Sequence, residues 1–252
     1  MTKPTTPPPG VDAHEWALRM DLAACYRLIA LYGMDDTIYT HISARLPGDE
    51  HHFLINPYGM LFEEITASSL VVIDLNGEKV RDSQWDVNPA GFTIHSAIHG
   101  AREDALCVLH THTLAGMAVA AQEEGLLPLN QMSLEFYRDL AYHDYEGIAL
   151  ELDERARLVA DLGARGAMIL RHHGLLTVGR SIAQAFYRMY YLEMACRIQV
   201  ATRSTGQPLI IPSKKVCDHT FQQFQRGDGP KGERLWPALL RKLDRVSPDF
   251  RR

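Results

Sequence analysis

The chain has 252 residues, 46% of them hydrophobic and 23% charged, with a formal net charge of -5. That composition supports a buried core and excludes a chain disordered throughout. The acidic balance leaves no basic excess for a nucleic-acid backbone, and no apolar run approaches the ~20 residues that a membrane helix needs.

Residues 1–11 are rich in Pro and Thr and predict a disordered tail. They lack the apolar stretch of a signal peptide, so a cytoplasmic location is expected. Residues 12–252 then read as one domain with a C-terminal extension. A helix is predicted over His14–Tyr32, because Trp16, Met20, Ala23, Ala24 and Leu28 keep helical spacing and Gly33 can stop it. Thr37–Arg45 and His51–Ile55 read as strands joined by the turn-forming LPGDE, and residues 56–59 (NPYG) as a turn. Leu70–Asp74 is β-branched and precedes Asn76-Gly77, a hairpin signal. Further helices are expected at Gly91–Gly100, Thr113–Glu123, Asp153–Leu162 and Ser181–Arg203, with Ser181 as a cap. Strands are expected at Ala105–His110, Ala167–Leu170 and Leu175–Val178. After Gly206 the pattern weakens to a loop over 226–232 and a short helix, Glu233–Leu243. Tight turns make several neighbouring strands antiparallel, so the α/β fold class expected is a three-layer α/β/α domain rather than a doubly wound sheet. Cys25, Cys107, Cys196 and Cys217 form no C-x-x-C pair and read as reduced thiols.

The chemistry concentrates in histidines. In Val108-Leu109-His110-Thr111-His112, a strand would place His110 and His112 on one face, ready to share a metal ion. The plainer alternative is two partly exposed strand-end residues. Arg171-His172-His173-Gly174 ends a second apolar strand. A third imidazole there completes a three-histidine site with an open position, the arrangement of a catalytic metal. Gly174 permits close backbone approach.

TIYTHISARLPG, INPYGMLFEEIT, VNPAGFTIHSAIHGAREDALCVLHTHT, YHDYEGIAL and MILRHHGLLTVG together resemble the class II aldolase/adducin family, across about residues 14–199. The resemblance implies a class II aldolase-like domain with a central, mostly antiparallel sheet. It also implies one divalent metal per chain, usually zinc, with manganese, cobalt or iron as alternatives, and a homotetramer with sites near subunit interfaces. It carries the metal ligands to His110, His112 and His173, leaving His172 as their neighbour at the substrate. The family's catalytic glutamate falls on Gly91, its phosphate-binding serines on Pro89 and Ala90, and a Gly-Asn phosphate pair on Thr40-His41. Proline donates no N–H and alanine has no hydroxyl, so a phosphosugar would lose its hold.

Replacement proton carriers are therefore sought. His95 and His99 share a helix face, and histidine titrates near neutrality. Glu135 is a second candidate base, with Tyr137 and Tyr145 from the same stretch. His41 with Arg45 could recognise a carboxylate, Arg171 could face substrate, and Gly59 and Gly91 could give a substrate room. Each also has an ordinary alternative as a packed or solvated residue. The function expected is a metal-dependent lyase of aldolase or decarboxylase type, acting on a small non-phosphorylated oxo or hydroxy acid through a metal-stabilised enolate. The alternatives are an adducin-like non-catalytic binding module and a non-haem iron oxygenase.

Overall fold

Helix α1 (Ala13–Leu31) starts where Asp12 can cap it: the carboxylate accepts from the N–H of His14 and of Glu15, each at 2.8 Å. It stops at Gly33, which takes φ +63 as the spacing predicted. The computed structural model describes residues 6–48, 51–148, 152–226 and 231–252. Most of the predicted 226–232 loop and the first five residues of the predicted tail lie outside these. Residues 6–11 carry a turn closed by the Val11 N–H on the Pro8 carbonyl.

Seven strands form one sheet: β1 (His41–Arg45), β2 (Phe53–Ile55), β3 (Val71–Ile73), β4 (Cys107–Thr111), β5 (Leu140–His143), β6 (Ala167–Leu170) and β7 (Gly174–Gly179), in the order β3-β2-β1-β4-β7-β6-β5. Every neighbouring pair is antiparallel except β5 with β6. Helices α2 (Pro89–Ala101) and α5 (Glu154–Leu162) cover one face. Alongside α1, α3 (Leu114–Ala120) and α6 (Ile182–Arg203) cover the other. Alternation along β4 feeds both layers: Cys107 and Leu109 pack with α1 and α6, Val108 with α2 and α5. This is the expected three-layer α/β/α arrangement.

Two α-helices and one strand have no counterpart in the sequence reading, α4 (Gln131–Glu135), α7 (Lys214–Gln225) and β5, nor do the short 3-10 turns at Phe62–Glu64 and Pro248–Arg251, while α8 (Trp236–Val246) begins three residues later than expected. Helix α7 buries only Cys217, and its apolar Cys217, Phe221 and Phe224 stand among mostly polar residues. Strand β1 is shorter than predicted because Thr37 (φ 51) and Thr40 (φ 64) are left-handed, which breaks the strand before His41. The Asn76-Gly77 turn is present, with the Gly77 N–H on the Asp74 carbonyl at 3.2 Å. No described helix is long and apolar enough to cross a membrane.

Register places the histidines. His41 opposes His110 across β1 and β4, and Thr111 opposes Leu175 across β4 and β7. The start of β1, the end of β4 and the β6–β7 turn therefore meet at one end of the central strands.

Candidate metal centre

His110, His112 and His173 converge there, with one ligand nitrogen from each lying within 4.8 Å of the others. His110 is the penultimate residue of β4, and His112 follows the strand on the same face. His173 sits in the β6–β7 turn, where His172 adopts φ +56 and the His173 N–H reaches the Leu170 carbonyl at 3.1 Å. Gly174 is required by this packing. A Cβ there would lie 2.3 Å from the Thr111 carbonyl oxygen and 3.3 Å from both His110 Cε1 and His112 Cδ2.

Hydrogen bonds fix the tautomers of two ligands. His110 Nδ1 lies 2.9 Å from the Leu175 carbonyl and must donate to it. His112 Nδ1 lies 2.9 Å from Asp36 Oδ2 and donates to that carboxylate. Both Nε2 atoms then keep lone pairs, and they face each other at 2.9 Å. Two neutral imidazole nitrogens repel at that distance unless a proton or a metal ion sits between them, and with the His173 nitrogen as a third donor the set fits a divalent metal. Desolvation, with the neighbouring His112 and His143 charges, pushes His173 down to about 4. Burial holds His110 well below the usual histidine range. Both are neutral and ligand-ready at neutral pH.

The remaining predicted residues divide. His41 lies at the triad, its ring centroid 5.2 Å from that of His110. Gly91, in the first turn of α2, opens the space for it: a Cβ at Gly91 would lie 2.4 Å from His41 Cδ2. His95 is fully buried behind His41, with Nε2 2.9 Å from His41 Nδ1, so it supports that ring instead of meeting a ligand. Gly59 keeps φ +99 in its turn, and a Cβ there would meet nothing within 4 Å. His172 is exposed and lines a neighbouring hollow of about 570 Å³ with Tyr145, Asp144 and Arg171.

Four expectations are corrected. Arg45 sits at the far end of β1 from His41 and donates to the His99 and Arg102 carbonyls, closing the end of α2. Glu135 pairs with Lys231 at 2.8 Å and accepts from the Tyr187 hydroxyl at 3.2 Å. Tyr137 precedes β5 at the end opposite the triad, because Leu140 pairs with Ala167 while His143 pairs with Leu170 beside the β6–β7 turn. Within the chain, none of these three joins the triad. Arg171 spends its guanidinium on the Gln122 and Glu123 carbonyls and stacks on Tyr142. Sequence reasoning missed Asp36, which lies 76 positions from His112. Thr40, which the resemblance had aligned with a phosphate-binding position, keeps a buried Oγ1 with no hydrogen-bond partner among the described residues.

The family pattern described as Class II Aldolase and Adducin N-terminal domain matches residues 20–200. A Pseudomonas aeruginosa protein, provisionally named an aldolase class 2 protein, is 55% identical over 96% of this chain and 94% of its own length. Mouse alpha-adducin is 43% identical over 93% of this chain and 34% of its own length. The structure of an L-fuculose 1-phosphate aldolase from Glaciozyma antarctica superposes with TM-score 0.84 at 29% identity, covering 98% of this chain and 97% of that one.

Proposed function

This chain belongs to the class II aldolase and adducin family, and from that premise we propose that it is a divalent-metal-dependent lyase. Its substrate is a small, non-phosphorylated oxo or hydroxy acid, cleaved at a carbon–carbon bond beside a carbonyl, by aldol-type fission or decarboxylation. The observation that carries this reading is the convergence of three imidazole nitrogens, two of them Nε2 atoms 2.9 Å apart whose Nδ1 partners are already committed. An open metal site has no use in a scaffold.

His110, His112 and His173 would hold the metal, zinc before manganese, cobalt or iron. When bound, such an ion supplies Lewis-acid polarisation of a carbonyl or carboxylate oxygen. The chain does the rest. Asp36 and the Leu175 carbonyl hold two ligand rings in the working tautomer. His41 is the imidazole beside the triad, in the space that Gly91 leaves open. Pro89, without an N–H, supports a substrate that lacks phosphate. A homotetramer belongs to this reading through the family. Four free, buried thiols support a reducing compartment such as the cytoplasm.

The test is elemental analysis of untagged protein beside the His110→Ala/His112→Ala variant. About one zinc, manganese or cobalt per chain, lost in the variant, is the expected result, followed by turnover of an oxo or hydroxy acid. The 43% identity with alpha-adducin supports a second reading, a non-catalytic binding module. Absence of metal after reconstitution would select it. Iron with oxygen-dependent turnover would select an oxygenase.

A further inference from the structure

Behind His41 runs a buried chain of polar groups from β1 to α2. His41 Nδ1 lies 2.9 Å from His95 Nε2, and His95 Nδ1 lies 2.5 Å from Ser43 Oγ. Ser43 Oγ lies 2.7 Å from His99 Nε2, and His99 Nδ1 lies 2.9 Å from the Ala105 carbonyl. The four side chains are between 0% and 4% exposed, so bulk water offers them no alternative partners.

Donor counting sets the direction of the whole chain. A carbonyl only accepts, so His99 carries its hydrogen on Nδ1 and its Nε2 must accept. Ser43 has one hydrogen and gives it to His99. Ser43 Oγ then accepts from His95 Nδ1–H. His95 Nε2 is left bare and accepts from His41 Nδ1–H. His41 Nε2 is left bare in turn. The Arg45 guanidinium, bound to the His99 carbonyl, places a positive charge at the far end and opposes entry of a further proton.

We propose that His99, Ser43 and His95 are positioning residues that fix His41 as a hydrogen-bond acceptor, so the ligand group set against His41 is a hydroxyl donor and not an anion. This deepens the lyase reading and rests on it for the location of the ligand. An anion brings only acceptors, and lone pair would meet lone pair at His41 Nε2. A hydroxyl on a hydroxy acid, or on the hydrated form of an aldehyde, donates instead. Beside His41, Thr40 keeps its unpartnered Oγ1 and a left-handed backbone (φ 64), strain of the kind that gathers at ligand sites. Gly91 packs against the Cδ2–Nε2 edge of the His41 ring, where a Cβ would lie 2.4 Å from Cδ2 and 2.9 Å from Nε2.

The experiment is a long-range proton–nitrogen correlation on full-length protein labelled with ¹⁵N-histidine, metal-free and zinc-loaded. In the wild type, His41, His95 and His99 are each expected to carry hydrogen on Nδ1 and none on Nε2. In His99→Leu, the hydroxyl of Ser43 has only His95 Nδ1 left to receive its hydrogen. The forward and reversed chains then keep the same number of bonds, so His41 is expected to populate Nε2–H beside Nδ1–H. If that variant fails to fold, Ser43→Ala cuts the chain one link nearer, and loss of the uniform Nδ1–H pattern at His41 is expected. The His110 Nδ1–H signal, held by the Leu175 carbonyl, serves as the control for an intact fold. In the zinc-loaded protein, dihydroxyacetone is expected to shift the His41 Nε2 resonance while sulfate leaves it unmoved. An Nε2–H on wild-type His41, an unchanged His41 tautomer in the variants, or a shift from sulfate would overturn the proposal. Failure to bind zinc would defeat the lyase reading while leaving the metal-free tautomers measurable.

Discussion

Gly91→Ala should be destabilising only while His41 is present. The new Cβ would lie 2.4 Å from His41 Cδ2 and 2.8 Å from its Cγ, about 1 Å inside ordinary contact. The ring has little room to retreat. Nδ1 is tied to His95, the His110 ring lies 5.2 Å away, and the residue is 4% exposed. Overpacking of this kind costs roughly 1–3 kcal/mol, and losing the buried bond to His95 adds roughly 1–3 kcal/mol. A central value of about 4 kcal/mol lowers Tm by roughly 8–16 °C for a chain of this size. In a His41→Ala background the obstacle is gone, and alanine in helix α2 gains up to ~1 kcal/mol over glycine. Urea denaturation of the two single variants and the double variant gives the coupling energy. An equal cost for Gly91→Ala in both backgrounds, or no cost in the wild type, would refute the steric argument.

Asp36→Asn removes the carboxylate that holds His112, so zinc affinity should fall roughly 10–100-fold, read by competition with a chromophoric chelator; unchanged affinity counts against the role. Gly174→Ala drives a Cβ to 2.3 Å from the Thr111 carbonyl oxygen, so both Tm and zinc stoichiometry should drop together, and a loss of neither would contradict the packing. The metal-free protein should lose stability on acidification. His173 is held at about 4 in the fold, against an ordinary value of 6.5, so the unfolded chain binds more protons between those values. Stability is therefore whole above pH 6.5 and falls as the pH drops toward 4, by about 3 kcal/mol from this residue alone. A flat urea midpoint across that range would be the contrary result.

Much of the site was legible because it depends on local pattern. A hydrophobic strand before H-T-H fixes two rings on one face, and a glycine after His173 signals close approach. Spacing gives the pair and the glycine, while the choice of His173 over His172 rests on the family resemblance. Asp36 was invisible for the opposite reason: its tie to His112 exists only once β1 and β4 are in register, and nothing in its own neighbourhood signals a ligand partner. His95 read as a proton carrier because helix spacing tells which face it shares with His99, but not that His41 and Ser43 stand before that face. Arg45 failed through the period of a strand: four residues from His41 along β1, it lands at the other end of the sheet. Helix α7 and strand β5 were missed because one has few apolar positions among its polar residues and the other has four residues.

The three rings of the triad reach one another through the β4–β7 ladder, with His110 and His173 separated by roughly 60 residues of intervening chain. No short segment can present all three, and His110 meets the Leu175 carbonyl only when Thr111 and Leu175 have found their register. During refolding, the ion is therefore captured after the central strands align, and the rate of its uptake is a clock for that non-local step.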